Sequence, residues 1–160
     1  MVPPPNRRTT ISHARSPDRR PAQGPTMTTH TTGHFTYADW KETAAGAAEG
    51  GAKLAHAMVT NTFSGGIEAP RTSCQYAITY VTEKTGVCCG YELLTGTLDG
   101  RAGSFVVVQH GSWGEDATVH CSFEVVPGSG TGELAGLTGS GTFSAVRGET
   151  EIPYSFDYQL

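Results

Sequence analysis

The chain has 160 residues, a formal net charge of −4 and 21 glycines, and 37% of its residues are hydrophobic. The charge is unevenly distributed: residues 27–160 hold six Lys and Arg against fourteen Asp and Glu, a net charge of −8, while residues 1–26 are basic. This acidity argues against a nucleic acid partner, because phosphate backbones are repelled. No apolar run approaches the roughly 18 residues of a membrane span, so no membrane partner is predicted.

Residues 1–26 predict a disordered leader. They hold six of the nine prolines and five of the eleven Lys and Arg, with almost no large apolar residue. Such a segment cannot bury enough surface to offset its loss of conformational entropy. No apolar stretch follows the arginines, as a secretory signal requires. Either the leader is disordered or translation starts at Met27, and the folded domain spans 27–160 in both cases. Without an export signal, and with four cysteines that match no zinc or CxxC pattern, the protein is expected to be cytoplasmic.

From residue 33 onward, β-rich runs alternate with short connections that contain Gly, Asp or Asn, which is typical of an antiparallel meander. The Ala- and Gly-rich segment 44–51 predicts a loop. Eight strands in sequence predict an all-β fold, an eight-stranded antiparallel up-and-down barrel whose interior holds side chains or one small ligand. The predicted strands are 34–40, 53–63, 72–82, 87–98, 102–113, 117–126, 137–146 and 150–160.

Turn signals predict how the central strands pair. Asp99-Gly100 is typical of a two-residue hairpin, which places Cys89 opposite His110. The preceding turn is predicted to pair Tyr80 with Cys89. A turn of even length after the next strand places Cys121 beside His110, whereas a three-residue turn would reverse the faces. Tyr80, Cys89, His110 and Cys121 then form a row across four strands inside the barrel.

This register assigns a face to each side chain. The neighbouring Cys88 and Cys89 point to opposite sides and do not form a pair. The predicted inner face holds Tyr76, Ile78, Tyr80, Cys89, Tyr91, Leu93, Val106, Val108, His110, Cys121, Phe123 and Val125, and the last hairpin adds Phe143, Tyr154, Phe156 and Tyr158. The predicted outer face holds polar residues, among them Glu92, Gln109 and Glu124, and the apolar residues Leu94, Phe105, Val107 and Trp113.

The row of four residues has three interpretations. It can be a core histidine with hydroxyl and thiol neighbours, or a polar handle or acid/base group for a bound ligand, with His110 and Tyr80 as the catalytic candidates. It can also be a Cys2His metal site, although a flat row with no fourth ligand suits zinc poorly. We therefore predict no metal and no cofactor.

Five of the six tyrosines fall on the predicted inner face. Because a tyrosine hydroxyl needs a hydrogen-bond partner, these residues favour an aromatic-lined cavity for a small molecule over a dry core. The predicted ligand-contacting residues are Tyr76, Cys89, Tyr91, Cys121, Phe123, Phe143, Tyr154, Phe156 and Tyr158.

Two central motifs, TGTLDGRAGSFVVVQHG at 95–111 and VVPGSGTGELAGLTGSG at 125–141, resemble a bacterial family of single-domain barrels known as a domain of unknown function. The beginning MTTHTTGHFTYADW at 27–40 and the closing YSFDYQL at 154–160 are also similar to that family. The resemblance implies a fold similar to the allene oxide cyclase-like barrel, a class that includes cofactor-free cyclases and proteins that only bind. It implies no catalytic residue. QHG at 109–111 matches the family motif, and the cysteine pair at 88 and 89 departs from it.

Two classes of function follow. The first is a barrel that binds an apolar or aromatic metabolite and acts as a cofactor-independent cyclase or isomerase, with His110 and Tyr80 as acid and base. The second is non-catalytic: a carrier, or a structural barrel with a filled interior. A homo-oligomer is a further expectation, through the apolar patch predicted on the outer face: Leu94, Phe105, Val107 and Trp113.

Overall fold

The computed structural model describes residues 27–160, and the predicted leader at 1–26 lies outside this range. The described residues form nine strands and a single 3₁₀ turn at Gly132–Leu134, so the predicted all-β class is confirmed. Within this range no helix has the length and apolar character needed to cross a bilayer. The strands are β1 Thr29–Ala47, β2 Lys53–Gly65, β3 Ile67–Glu68, β4 Ser73–Tyr80, β5 Gly86–Leu98, β6 Arg101–Trp113, β7 Val119–Val125, β8 Thr138–Ala145 and β9 Ile152–Gln159.

Eight of these strands close into an antiparallel ring. Each strand pairs with the next along the chain, apart from the two-residue β3, and β9 returns to pair with β1. The predicted eight-stranded up-and-down barrel is therefore confirmed. Strand β3 pairs only with β5 and was not predicted, because two residues carry no periodic signal. The predicted loop at 44–51 is wrong in its first half, since Ala44 and Ala47 still pair with β2.

The register within the hairpin of β5 and β6 agrees with the sequence prediction: Cys89 lies opposite His110. The registers on either side of this hairpin differ from the prediction. Tyr80 pairs with Gly86 instead of Cys89, and His110 lies opposite Ser122. The reason is the length of the connections at 81–85 and 114–118, which have five residues each instead of an even number. An odd connection reverses which face of the hairpin points inward.

The faces of β5 and β6 are consequently the reverse of those predicted. Cys89, Tyr91 and Leu93 are exposed on the outside, as is His110, while Val106 and Val108 also point outward. The row of Tyr80, Cys89, His110 and Cys121 does not exist. The predicted outer patch lies inside instead, where Leu94, Phe105 and Val107 are buried, and this removes the basis for the predicted oligomer interface.

The other predicted inner faces agree with the structure. Phe143 lies opposite Tyr154 and Gly141 opposite Phe156 in the hairpin of β8 and β9. Tyr76 and Ile78 on β4, and Cys121, Phe123 and Val125 on β7, point inward as predicted. Cys88 and Cys89 do lie on opposite sides of the sheet, with Cys88 inside. All four cysteines are free thiols.

The interior differs between the two ends of the barrel. One end, which carries the turn at Asp99-Gly100 and the connection 126–137, is filled by apolar side chains of β5, β6, β7 and β9. Leu134 and Leu137 of that connection are 1% exposed and cover this end. At the opposite end, marked by connections 81–85, 114–118 and 146–151, the barrel is open. The larger core cluster therefore occupies one half, and the other half holds a smaller buried cluster of Ala55, Ala57 and Ile78 beside a cavity.

Candidate functional site

A cavity of about 470 Å³ occupies the open half of the barrel. Its wall is mainly aromatic and aliphatic, and polar groups occur at the floor, at Tyr80 on the wall and at the rim. At the rim, Arg147 and Glu149 follow the end of β8. The apolar lining includes Phe35, Trp40, Val59, Ile78, Trp113 and Phe143.

Both tryptophans of the chain line this cavity. Trp40 reaches it through a β-bulge: the pairing of β1 with β2 shifts between Ala38 and Lys41, and Asp39 adopts a positive φ of 57°. The Trp40 ring then stacks on Tyr76 with 6.1 Å between ring centroids. Trp113 meets Tyr80 edge to face at 5.7 Å. The bulge re-aims one side chain, as bulges beside binding sites commonly do.

Trp113 takes its position because its neighbour across the β5–β6 pairing is a glycine. Gly86 lies directly opposite Trp113, and a Cβ atom at residue 86 would collide with the indole ring and with the carbonyl of Thr79. A glycine therefore lets the indole approach the backbone of β5 closely and form part of the wall.

The floor of the cavity is a buried hydrogen-bond network centred on Glu92, which is 1% exposed. Its carboxylate accepts three hydrogen bonds: from Asn61 Nδ2 at 2.7 Å, from Thr72 Oγ1 at 2.6 Å and from Gln109 Nε2 at 2.7 Å. Gln109 Oε1 in turn accepts the hydroxyl proton of Tyr76 at 2.6 Å. Within the described residues, every fully buried polar side-chain atom has a partner. The network thus separates the packed core from the cavity.

Burial changes the protonation behaviour of this floor. Exclusion of water raises the pKa of Glu92, although the hydrogen bonds from Thr72, Asn61 and Gln109 act in the opposite direction. Burial likewise raises the pKa of Tyr76 well above its ordinary value and that of Cys121 to about 12. The hydroxyl and the thiol therefore stay protonated and act as hydrogen-bond donors.

Higher on the wall, Tyr80 and Glu42 form a second polar unit. The Tyr80 hydroxyl lies 2.9 Å from Oε1 of Glu42 and 2.8 Å from Oε2. Burial, together with the adjacent Glu42 carboxylate, raises the pKa of Tyr80 to about 12. Trp40 Nε1 donates to the same carboxylate at 3.3 Å. This arrangement joins a proton donor and a proton acceptor beside the entrance.

The structure brings together only some of the residues predicted to form the site. Tyr76, Tyr80, Cys121 and Phe143 line the cavity. Cys89, Tyr91 and His110 lie outside the barrel, for the reason of turn length given above. Phe123, Tyr154, Phe156 and Tyr158 belong to the packed end.

The tyrosines of the packed end have protein partners for their hydroxyls. Tyr158 donates to Asp99 Oδ2 at 2.6 Å, and Tyr154 accepts from the amide of Ile67 at 2.9 Å. The general need of a tyrosine for a partner is therefore met there without a ligand, so an inward tyrosine by itself does not indicate a cavity.

Sequence reasoning missed the residues that shape the site most. Glu92 and Gln109 were predicted on the outer polar face, and Asn61, Glu42 and Trp40 were not considered. One signal was available in the alternation of side chains along β6. Phe105 and Trp113 share a face with Gln109, and two large aromatic residues on that face favour its burial. In the described part of the chain, no group of three His, Cys, Asp or Glu side chains is placed to hold a metal ion.

Comparisons with known proteins identify the family. No curated protein gives a significant match to the chain. A solved structure from Shewanella oneidensis MR-1, a protein with unknown function from the DUF3224 family, is 32% identical in sequence and has a TM-score of 0.66. The match covers 82% of this chain and 97% of that one. The profile of the family described as protein of unknown function (DUF3224) matches residues 31–158. The chain therefore belongs to the DUF3224 family, as the resemblance of its central motifs indicated.

Proposed function

We propose that the barrel binds a small apolar or aromatic molecule in the cavity at its open end. The observation that carries this proposal is a space of about 470 Å³ with a mainly aromatic and aliphatic wall and few polar groups. Ligand sites in proteins commonly have this volume and this composition. The alternative of a filled barrel describes only the packed half.

A matched pair of substitutions tests this proposal. Ala145 lines the cavity, whereas Ala77 on β4 is exposed outside the barrel. The native protein, Ala145→Phe and Ala77→Phe are titrated with a panel of apolar and aromatic compounds in a thermal shift assay. We expect saturable stabilisation of the native protein and of Ala77→Phe, and its loss in Ala145→Phe, because the new ring occupies the cavity.

Two outcomes would contradict the proposal. Absence of a shift with every compound would favour a structural role for the barrel. Equal binding by Ala145→Phe and by the native protein would place the ligand elsewhere on the molecule.

The unit formed by Tyr80 and Glu42 supports a second candidate function, a cofactor-independent cyclase or isomerase. Tyr80 lines the cavity and its hydroxyl donates to the Glu42 carboxylate, so a substrate proton could pass to the Tyr80 oxygen as the hydroxyl proton moves to Glu42. The aromatic wall would hold a flexible substrate near its reactive conformation. His110, the acid/base group expected from the sequence, lies on the outside, so this role is now given to Tyr80 and Glu42.

Turnover of a compound found by the binding assay separates an enzyme from a carrier. We expect Tyr80→Phe to retain binding and to lose most of any turnover, because only the hydroxyl is removed. Tyr37→Phe is the control, since Tyr37 also lines the cavity and is 55% exposed. Equal turnover in both variants would remove Tyr80 from the reaction, and no turnover of any bound compound would favour a carrier.

We also propose the cytoplasm as the compartment. All four cysteines are free, which suits a reducing environment.

A further inference from the structure

The floor of the cavity contains information about the ligand, because its hydrogen bonds have a direction. Asn61, Tyr76 and Cys121 line the cavity. Glu92 and Gln109 lie behind them and are 1% and 2% exposed. Every hydrogen bond in this cluster must be consistent with its neighbours, since each proton serves one donor and one acceptor.

The direction is set by Glu92. The two oxygens of its carboxyl group accept hydrogen bonds from the amides of Asn61 and Gln109 and from the hydroxyl of Thr72. Asn61 and Gln109 must therefore turn their NH2 groups toward Glu92, and their carbonyl oxygens point away from it. The orientation of both amides follows from the carboxyl oxygens behind them.

The orientation of the two amides determines which hydrogen-bonding atoms the floor presents to the cavity. Gln109 Oε1 accepts the hydroxyl proton of Tyr76 at 2.6 Å, and the Cys121 thiol has two acceptors in the protein, Gln109 Oε1 at 3.7 Å and the Ser122 carbonyl at 3.6 Å, so both protons are directed away from a ligand. The Tyr76 oxygen retains lone pairs. Asn61 Oδ1 accepts no hydrogen bond from the described protein, and because each fully buried polar atom has a partner, this oxygen has contact with the cavity. The floor therefore offers acceptors and few donors.

We propose that the cavity selects a neutral aromatic alcohol, whose hydroxyl group donates a hydrogen bond to Asn61 Oδ1 or to the oxygen of Tyr76. This inference rests on the proposed binding function and specifies its ligand class. A ketone or an ether in the same position has only an acceptor oxygen, which would face the acceptor oxygens of Asn61 and Tyr76 without a proton between them. An ammonium group would lose its hydration in a cavity with an apolar wall, which disfavours a cation.

Four aromatic probes of one ring system test the proposal. Naphthol, methoxynaphthalene, acetylnaphthalene and naphthalene are titrated into the full chain by isothermal titration calorimetry at neutral pH, where all four probes are uncharged. We expect naphthol to bind roughly tenfold more tightly than each of the others, which corresponds to one net hydrogen bond to a buried acceptor.

Two substitutions change the floor of the cavity, and both are at side chains inside the barrel. Glu92→Gln has nearly the same shape, but its amide must donate a hydrogen bond and so turns the carbonyl of Asn61 or Gln109 toward itself. We expect the preference for naphthol over acetylnaphthalene to fall to near equality or to reverse. Tyr76→Phe keeps the ring and removes one acceptor, so we expect a smaller preference. Glu124→Gln, on the exposed face of β7, is the control and should keep the full preference.

The outcomes separate this inference from the proposed function. Binding of all four probes with equal affinity, or a preference for acetylnaphthalene, overturns the selection for an alcohol and leaves a binding cavity. Failure of all four probes overturns the ligand class, and the wider thermal shift panel then decides independently whether the cavity takes any ligand. If Glu92→Gln does not fold, the ranking of the four probes on the native protein still decides.

Discussion

Glu92 is a buried carboxyl group, and its ionisation makes the stability of the barrel depend on pH. Its raised pKa means that the folded chain binds the proton more tightly than the unfolded chain does. The stabilisation by the neutral form is complete below the pKa of the unfolded state and is lost as the pH rises through the folded pKa. We predict that the free energy of unfolding falls over this interval and that Glu92→Gln removes the fall.

Urea denaturation at a series of pH values measures this effect. Glu124→Gln on the exposed face of β7 is again the matched control, and its pH profile should follow that of the native protein. An unchanged slope in Glu92→Gln would mean that Glu92 has the same pKa in the folded and unfolded states, contrary to its burial.

At the scale of an element, the two adjacent leucines of β5 report which face of the strand is inside. Leu94 is 2% exposed and packs in the core, whereas Leu93 is 45% exposed. We predict that Leu94→Asp lowers the free energy of unfolding by about 4 kcal/mol or prevents folding, because a charge would be buried without a partner. Leu93→Asp should change it by about 0.5 kcal/mol.

Equilibrium denaturation of the two variants checks this register directly, since the substitutions are chemically identical and one residue apart. Comparable destabilisation by both would contradict the inward orientation of Leu94. The reverse order, with Leu93→Asp the more damaging, would support the register expected from the sequence.

The failure to predict this face has a physical cause in the strands themselves. LL at 93–94 and VVV at 106–108 make both faces of the β5–β6 hairpin apolar, so alternation alone does not choose between them. The choice then depends on the connections at 81–85 and 114–118. The first lacks a strong two-residue turn signal, and Ala117 in the second adopts an unusual positive φ of 59°. By contrast, Asp99-Gly100 is a strong signal, and the pairing it predicts is correct.

The candidate site was less accessible from the sequence than the fold. Asn61, Glu92 and Gln109 lie on three different strands and Thr72 directly precedes a fourth, and no spacing in the chain relates them. Their proximity follows from closure of the ring and from the correct parity of β5 and β6. Tyr80 was correctly placed on the wall, but its partner Glu42 precedes a segment that was predicted as a loop.

For the whole molecule, the division into a packed half and an open half predicts that replacing a large side chain by alanine lowers the free energy of unfolding more in the packed half. Phe156 is fully buried and contacts Phe105, Phe123 and Tyr158 in the packed end. Phe156→Ala should lower the free energy of unfolding by about 3–5 kcal/mol, because it leaves a void. Val119→Ala at the open end enlarges an existing space and should cost about 1 kcal/mol.

Thermal or urea denaturation of both variants provides the comparison, and amide hydrogen exchange offers a second measurement. Strand segments around Phe156 should exchange more slowly than those around Val119. Equal losses of stability in the two variants would indicate that the open half is as tightly packed as the closed half.

The overall architecture was predictable because it depends on features that the chain repeats. Eight β-rich runs with short connections are sufficient for an up-and-down barrel, and a register error in two strands does not alter the order in which strands pair. The closing hairpin of β8 and β9 was also correct in register. Which side chains point into the barrel depends on whether each turn has an odd or an even number of residues. One residue more or fewer in a turn exchanges the inner and outer faces of the strand.

The two tryptophans provide a built-in optical probe of the cavity. Because Trp40 and Trp113 both line it and the chain has no others, the tryptophan fluorescence of this protein originates entirely at the candidate site. A non-fluorescent ligand that enters should displace water from one or both indoles and shift their emission to shorter wavelength. Mixtures of unlabelled compounds can therefore be screened by emission spectrum alone, and the single variants Trp40→Phe and Trp113→Phe would tell whether a ligand lies nearer to the β1 bulge or to the end of β6.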